Sequence, residues 1–251
     1  PEPEIVLDEY GWPVSAKWAG MDAPLFQGQV GMLHANSMES GGWWAGNAVL
    51  KEAECSFGHA ARTETPFSVV FTQTISCALT NKAVRTIEIY KGEPRARVIF
   101  EYDRIVHQER TPEMFYVEFP FPDSEREVRT SNGGSVFVPY ADNIDNTCNA
   151  FYVTDSWVSY KNPDGYRVWS SPTSPIVCFG NMNFFGVQRE PSNTNLLFSM
   201  VYNNGWGVNF PMEYPGMVRC EYDLVWSGEE SLSAAEIQSI ADTYSVRPVV
   251  A

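Results

Sequence analysis

The run NLLFSMVYNNGWGVNFP, residues 195–211, decides the fold class. Leu196, Phe198, Met200 and Tyr202 alternate with Leu197, Ser199, Val201 and Asn203. That is the period of a β-strand, whose successive side chains point to opposite faces. Asn203-Asn204-Gly205 follows, and Asn and Gly tolerate the positive φ of a chain reversal. Trp206-Gly207-Val208-Asn209-Phe210 then resumes an extended, aromatic run. Strand, amide-rich turn and Trp together make a rim suited to a neutral polar ligand.

Working outward, the same period recurs. Residues 67–75 are β-branched and aromatic, residues 84–90 alternate, and residues 95–102 place Val98, Phe100 and Tyr102 on one face. Residues 114–122 are apolar on both faces apart from Glu118, which predicts a strand buried between two sheets. In residues 218–226, Val218, Cys220, Tyr222, Leu224 and Trp226 share one face, and Arg219, Glu221, Asp223 and Val225 share the other. The second face is expected to meet water or another domain. Turns such as Lys161-Asn162-Pro163-Asp164-Gly165 separate these runs at short spacing, which points to antiparallel pairing. The polar, charged residues 123–135 read as a surface loop. Near the end, Ser233 with Glu236 three residues on forms a capping box ahead of Ile237, Ile240, Ala241 and Tyr244 on one helical face. The expectation is an all-β chain: one large antiparallel β-sandwich domain over residues 1–251, with a helix and tail at about 231–251.

Composition narrows the partners. The chain has 251 residues, 44% hydrophobic and 14% aromatic, enough for a sizeable core, and a formal net charge of -14. So acidic a surface argues against nucleic acid and against an anionic membrane face, since both need clustered Lys and Arg. The longest uncharged stretches, 168–188 and 191–212, are interrupted by Pro, Gly, Ser and Asn and do not read as membrane spans. Cys55, Cys77, Cys148, Cys178 and Cys220 are scattered, with no C-x-x-C pair, and read as buried free thiols of a reducing compartment. The Pro1-Glu2-Pro3-Glu4 opening reads as the start of a piece excised from a longer polypeptide.

Few residues offer chemistry. His34, His59 and His107 are not spaced to share a metal, and no P-loop, G-x-S-x-G or G-x-G-x-x-G occurs. Glu118 stands alone in an apolar strand, where an Arg partner such as Arg97 or Arg85 is expected. Residues 168–212 carry only two charges, Arg189 and Glu190, among many amides and aromatics. Amides donate to and accept from sugar hydroxyls, and rings stack on a sugar's C–H face. Asn203, Asn204, Trp206 and Asn209, with Trp43-Trp44 between glycines, are therefore candidates for carbohydrate or for a domain interface. Turn-forming amides and core aromatics are the competing reading of the same residues.

Three segments carry a resemblance: Arg85-Thr86-Ile87-Glu88-Ile89-Tyr90 through Pro94-Arg95, Glu113-Met114-Phe115-Tyr116-Val117-Glu118-Phe119-Pro120-Phe121, and Asn203-Asn204-Gly205-Trp206 through Asn209-Phe210. In order and spacing they resemble the C-terminal part of family 38 glycoside hydrolases, the α-mannosidases and their relatives, over most of residues 60–226. The Trp-bearing runs at 155–158 and 166–169 resemble the strand pair between them. The resemblance implies a galactose-mutarotase-like supersandwich. It also implies that the zinc, nucleophile and acid/base lie on a separate N-terminal barrel, so that this domain has no cofactor or catalytic residue and serves as scaffold and active-site rim. Two rivals remain: an autonomous aldose-1-epimerase, drawing on His34, His59 or His107 with Glu118 or Glu221, and a lectin-like module.

Overall fold

The computed structural model describes residues 2–41, 48–107, 111–122, 127–182, 188–191, 193–205 and 213–245. The early alternating runs form β1 (Glu4–Leu7), β2 (Pro13–Lys17), β3 (Met32–Ser40), β4 (Val49–Glu52), β5 (Cys55–Phe57) and β6 (Ala61–Glu64). Long strands follow: β7 (Ser68–Cys77), β8 (Thr80–Tyr90), β9 (Arg95–Arg104) and β10 (Glu113–Pro120). Next come β11 (Glu127–Asn132), β12 (Ser135–Phe137), β13 (Tyr152–Val153), β14 (Trp157–Asn162), β15 (Gly165–Ser170), β16 (Ile176–Phe179), β17 (Leu196–Asn203), β18 (Met217–Ser227) and the helix α1 (Ala234–Ser245).

Two large sheets face each other. One runs β13-β16-β17-β10-β3-β4; the other runs β12-β11-β14-β15-β18-β9-β8-β7-β5, with β6 also on β7. A small β1-β2 pair stands apart. The ladders of both large sheets are antiparallel. The protein is thus an all-β sandwich with a single C-terminal helix among the described residues.

Period two explains the core. Leu33 and Ala35 of β3, Phe115, Val117 and Phe119 of β10, and Leu197 of β17 point inward from the smaller sheet. Ile87 and Ile89 of β8, Val98 and Phe100 of β9, and Tyr222 and Leu224 of β18 meet them from the larger. Phe119 joins the layers aromatically, 4.6 Å from Tyr222 and 5.8 Å from Trp169 between ring centroids. Burying each such ring contributes about 1.5–3 kcal/mol. Tyr102 adds a polar rivet across the layers, its hydroxyl donating to the Val201 carbonyl at 2.9 Å.

Several expectations need correction. Of residues 123–135, expected as a loop, 127–132 form β11 and Ser135 opens β12, a hairpin at the edge of the larger sheet that turns through Gly133 and Gly134, both at positive φ, while 123–126 lie outside the described residues. Strand β10 is fully flanked, but not by two sheets. Its outer residues Met114 and Tyr116 pack with Cys178, Phe198 and Met200, beneath Leu50, Phe151 and Met182 from neighbouring strands and loops. The polar face of β18 opens to water at Arg219, as expected, and is closed beyond it. Asp223 is 1% exposed and held by Arg95 at 2.6 Å, and Glu221 by Arg97 at 2.5 Å. Tyr244 of α1 stacks on Arg95 at 4.1 Å, so the chain's own helix covers this side. The capping box forms as expected, with the Ser233 N–H donating to Glu236 at 2.7 Å and Ser233 Oγ accepting from the Glu236 N–H.

The cysteines also depart from a buried set. Cys77, Cys178 and Cys220 are buried, Cys55 is half-buried and Cys148 is exposed; all five are free.

Candidate functional site

The predicted rim sits where β10 begins and β17 ends. Met114 is paired with Asn203 at the last rung of that ladder. One residue on, Asn204 takes over from the sheet. Its backbone N–H donates to the Glu113 carbonyl at 3.2 Å, its Oδ1 accepts the Glu113 N–H at 2.6 Å, and its Nδ2 donates to the Thr111 carbonyl at 3.1 Å. An Asn side chain carries both an acceptor and donors, so it can extend a ladder past its final backbone rung. Asn204 is 1% exposed, so its amide is committed to β10 rather than turned toward solvent. Asn203 is half-buried, and its Oδ1 accepts the Gly205 N–H at 2.8 Å.

Behind Asn204 lies a buried charge cluster. Arg104, the last residue of β9, donates from Nη1 to Glu113 Oε2 at 2.7 Å and to the Ile105 carbonyl at 2.9 Å. Glu113 Oε1 meets His107 Nε2 at 3.0 Å. The Arg104 guanidinium lies 4.5 Å from the centre of the Tyr202 ring, and its Nη2 abuts Glu213. Neither the Arg104 nor the Glu113 side chain is more than 1% exposed. The cluster therefore ties β9, β10 and the end of β17 into one corner.

Trp206, Asn209, Trp43 and Trp44 lie outside the described residues. The residues flanking both stretches leave the smaller sheet at one end. Ser40 closes β3 beside the start of β10, because Ser37 pairs with Glu113, and Asn204 leaves β17 at that same start. In the described part of residues 168–212 the aromatics are buried, except Tyr202, which is half-buried against the core. Trp169 and Phe179 are fully buried and Phe198 is 5% exposed. Asn193 caps a turn, its Oδ1 accepting the Asn195 N–H at 2.9 Å.

A second polar cluster sits on the outer face of the smaller sheet. His34 of β3 is held between Glu52 of β4, 2.6 Å from Nδ1, and Glu118 of β10, 2.7 Å from Nε2. The Phe198 ring meets the imidazole edge-on at 5.6 Å. Burial disfavours the charged ring, but the hydrogen bonds and attraction of Glu118 and Glu52 outweigh it, and the His34 pKa is raised above 6.5. Glu118 thus has a histidine partner from the adjacent strand, not an arginine. Arg85 instead points into the core, donating to Gln73 and Gln29 at 2.8 Å and stacking on Trp12 at 4.1 Å. Arg97 is engaged with Glu221.

Of the acid–base pairings open to an epimerase, His34 with Glu118 is brought together, in direct contact that leaves no gap for a sugar ring. Glu221 is held by Arg97 and Arg219, and His59 faces Tyr10 with ring centroids 6.0 Å apart. Among the described residues no three His, Cys, Asp or Glu side chains converge as a metal site. An open groove of about 570 Å³ lies between Pro66, Phe67, Tyr90, Lys91 and Glu93. It is at the far end of β7 and β8 from Arg104 and Asn204, and Phe67 in it is 79% exposed.

Sequence reasoning named Asn204 but missed Arg104 and Glu113, which anchor the corner. The signal was available for Glu113: it is the only charge besides Glu118 in the apolar run that becomes β10. No protein-family model matches the chain, and no curated protein matches it.

Proposed function

We propose that the chain is a non-catalytic, carbohydrate-associated β-sandwich domain of a glycoside hydrolase resembling the family 38 α-mannosidases, bracing the catalytic domain and shaping its active-site rim. One observation carries the reading. The second and third segments of the resemblance are sewn together, Asn204 of one spanning to Glu113 of the other with both side chains buried. Residues that recur as a pattern are thus spent on closing one end of a sandwich, which is what a scaffold needs and a solvent-facing catalytic pair does not. The closed His34–Glu118 contact weighs the same way against an autonomous epimerase. The zinc that the resemblance implies belongs in this reading to the separate barrel, and the partners are carbohydrate and that barrel.

The test is enzymatic. The purified chain is incubated with an aryl α-mannoside, with zinc and with a chelator, and followed by polarimetry on freshly dissolved α-glucose and α-galactose. The expected result is no release of the aryl alcohol and a mutarotation rate equal to the buffer blank. Aryl release that survives chelation, or accelerated mutarotation, overturns the reading. A glycan array with Trp206→Ala as the comparison then separates a rim that touches sugar from one that touches only the barrel.

A further inference from the structure

Cys55 opens β5 and Cys77 closes β7, and the two face each other directly across the antiparallel ladder. The Gly58 N–H donates to the Thr74 carbonyl at 3.0 Å, which marks that pair as hydrogen-bonded. Rungs alternate along such a ladder, so Ser56 and Ser76 form the next hydrogen-bonded pair and Cys55 and Cys77 fall on a non-hydrogen-bonded one. There the Cα atoms approach to about 4.5 Å and the side chains stand closest. A disulfide accepts Cα separations of about 4.4–6.8 Å, so closure needs a change of side-chain rotamer and little backbone movement. Cys55 is half-buried and Cys77 is 9% exposed, which leaves one sulfur in reach of solvent and its partner immediately behind. The proximity of the two thiols lowers the Cys77 pKa, to about 7, and raises that of Cys55, so the thiolate of the pair forms on Cys77.

The place matters as much as the pair. Glu52 ends β4 in the smaller sheet, and Cys55 begins β5 in the larger, so only Ala53 and Glu54 carry the chain from one layer to the other. Strand β5 is three residues long and lies at the edge of its sheet. A bond from Cys55 to Cys77 would pin that crossover.

We propose that Cys55 and Cys77 form a reversible dithiol–disulfide site, oxidised by small disulfides of the glutathione class. One protein thiolate attacks a sulfur of the oxidised glutathione, breaking its S–S bond, forming a mixed disulfide and releasing one glutathione thiolate. The second cysteine, on losing its proton, attacks the protein sulfur of that mixed disulfide and expels the second glutathione. Two protein thiols are oxidised and one glutathione disulfide is reduced to two thiols. Cys148, Cys178 and Cys220 lie on other elements and serve as internal controls.

The reduced chain is equilibrated in glutathione buffers of rising oxidised fraction, denatured in excess maleimide and mapped by mass spectrometry. The expected result is a loss of two of the five maleimide additions and a single linked peptide pair containing Cys55 and Cys77, reversed by reductant. Cys55→Ser and Cys77→Ser each abolish it; Cys148→Ser leaves it intact. A glutathione adduct that persists on Cys55 without resolving, a linkage through Cys148, or full alkylation at every ratio overturns the proposal. The wild-type peptide map decides alone, so a variant that misfolds does not blunt the test.

Discussion

Replacing Glu113 with Gln removes one charge from the corner that joins β9, β10 and β17. The side chain is fully buried, takes an ion pair from Arg104 at 2.7 Å and meets His107 at 3.0 Å. Gln keeps the shape but turns one acceptor into a donor and leaves the Arg104 guanidinium without its buried counter-charge. Breaking a buried ion pair from one side costs about 3–5 kcal/mol. Glu213 still abuts Arg104 and is partly exposed, so the lower end applies, about 3 kcal/mol. That is a large share of the ~5–15 kcal/mol that holds a typical domain together. With a urea dependence of about 3 kcal/mol per molar, the unfolding midpoint falls by about 1 M. Equilibrium unfolding in urea at neutral pH, read by tryptophan fluorescence and far-ultraviolet circular dichroism together, measures it. The double replacement Arg104→Met with Glu113→Met recovers most of the loss, because the two buried charges leave together and Glu213, the carboxylate left behind, is partly exposed to water. A Glu113→Gln midpoint indistinguishable from wild type, or a double variant weaker than the single, refutes the structural role of this corner.

Three further outcomes are expected. Asn204→Ala strands the buried Glu113 N–H and costs about 2–4 kcal/mol, whereas Asn203→Ala, which loses a local turn bond and a weak contact to the Met200 sulfur, costs about 1 kcal/mol or less; equal urea midpoints for the two variants contradict the ladder-extension role. The His34 pKa is raised in the folded state, so its stabilising contribution is complete below about pH 6.5 and is lost as pH climbs through the folded value. The stability gap between wild type and His34→Gln therefore shrinks from pH 6 toward pH 9, by thermal melts across that range, and a gap that widens with pH is the opposite of what Glu52 and Glu118 dictate. Gly165 closes the β14–β15 hairpin at φ +121, where a Cβ would lie 2.1 Å from the Ser227 carbonyl oxygen. Gly165→Ala costs at least about 2 kcal/mol in backbone strain and displacement, measured by the same urea titration, and a neutral substitution would mean the hairpin turns another way.

Where apolar side chains alternate, the sequence is nearly a drawing of the strand: β9 and β18 place Val98, Phe100, Cys220, Tyr222 and Leu224 inward as their parity dictates. Parity also carried a signal that apolar counting overlooked. Arg85 shares a face with Ile87 and Ile89 and is 1% exposed beside them, because Gln73, Gln29 and the Trp12 ring satisfy it there. Strand β11 was hidden by its composition. Glu127, Arg129 and the neighbouring charges read as solvent, yet Val128, Thr130 and Ser131 are buried against the larger sheet. The site was less legible still. Asn203-Asn204-Gly205 announces a turn, but nothing local says that Asn204 spans to a strand 91 residues earlier. His34 and Glu118 stand 84 positions apart, and Cys55 and Cys77 meet only through a register fixed by β5 and β7. Such contacts come from sheet order, which period-two patterns leave free.

The middle seat of β10 in the smaller sheet sets a schedule for folding. One of its edges pairs with β3, from residues 32–40, and the other with β17, from residues 196–203. As the chain leaves a ribosome, the first edge is paired early, while the second must wait for some eighty more residues. Through that interval Met114, Tyr116 and Phe119 stand on a strand with one open row of backbone donors and acceptors, the arrangement by which nascent chains find each other. Arrival of β17, fastened by Asn204, ends the exposure. Slower translation between residues 120 and 204 is therefore expected to prolong that exposure and lower the native yield, read as the soluble fraction from a synonymously recoded gene.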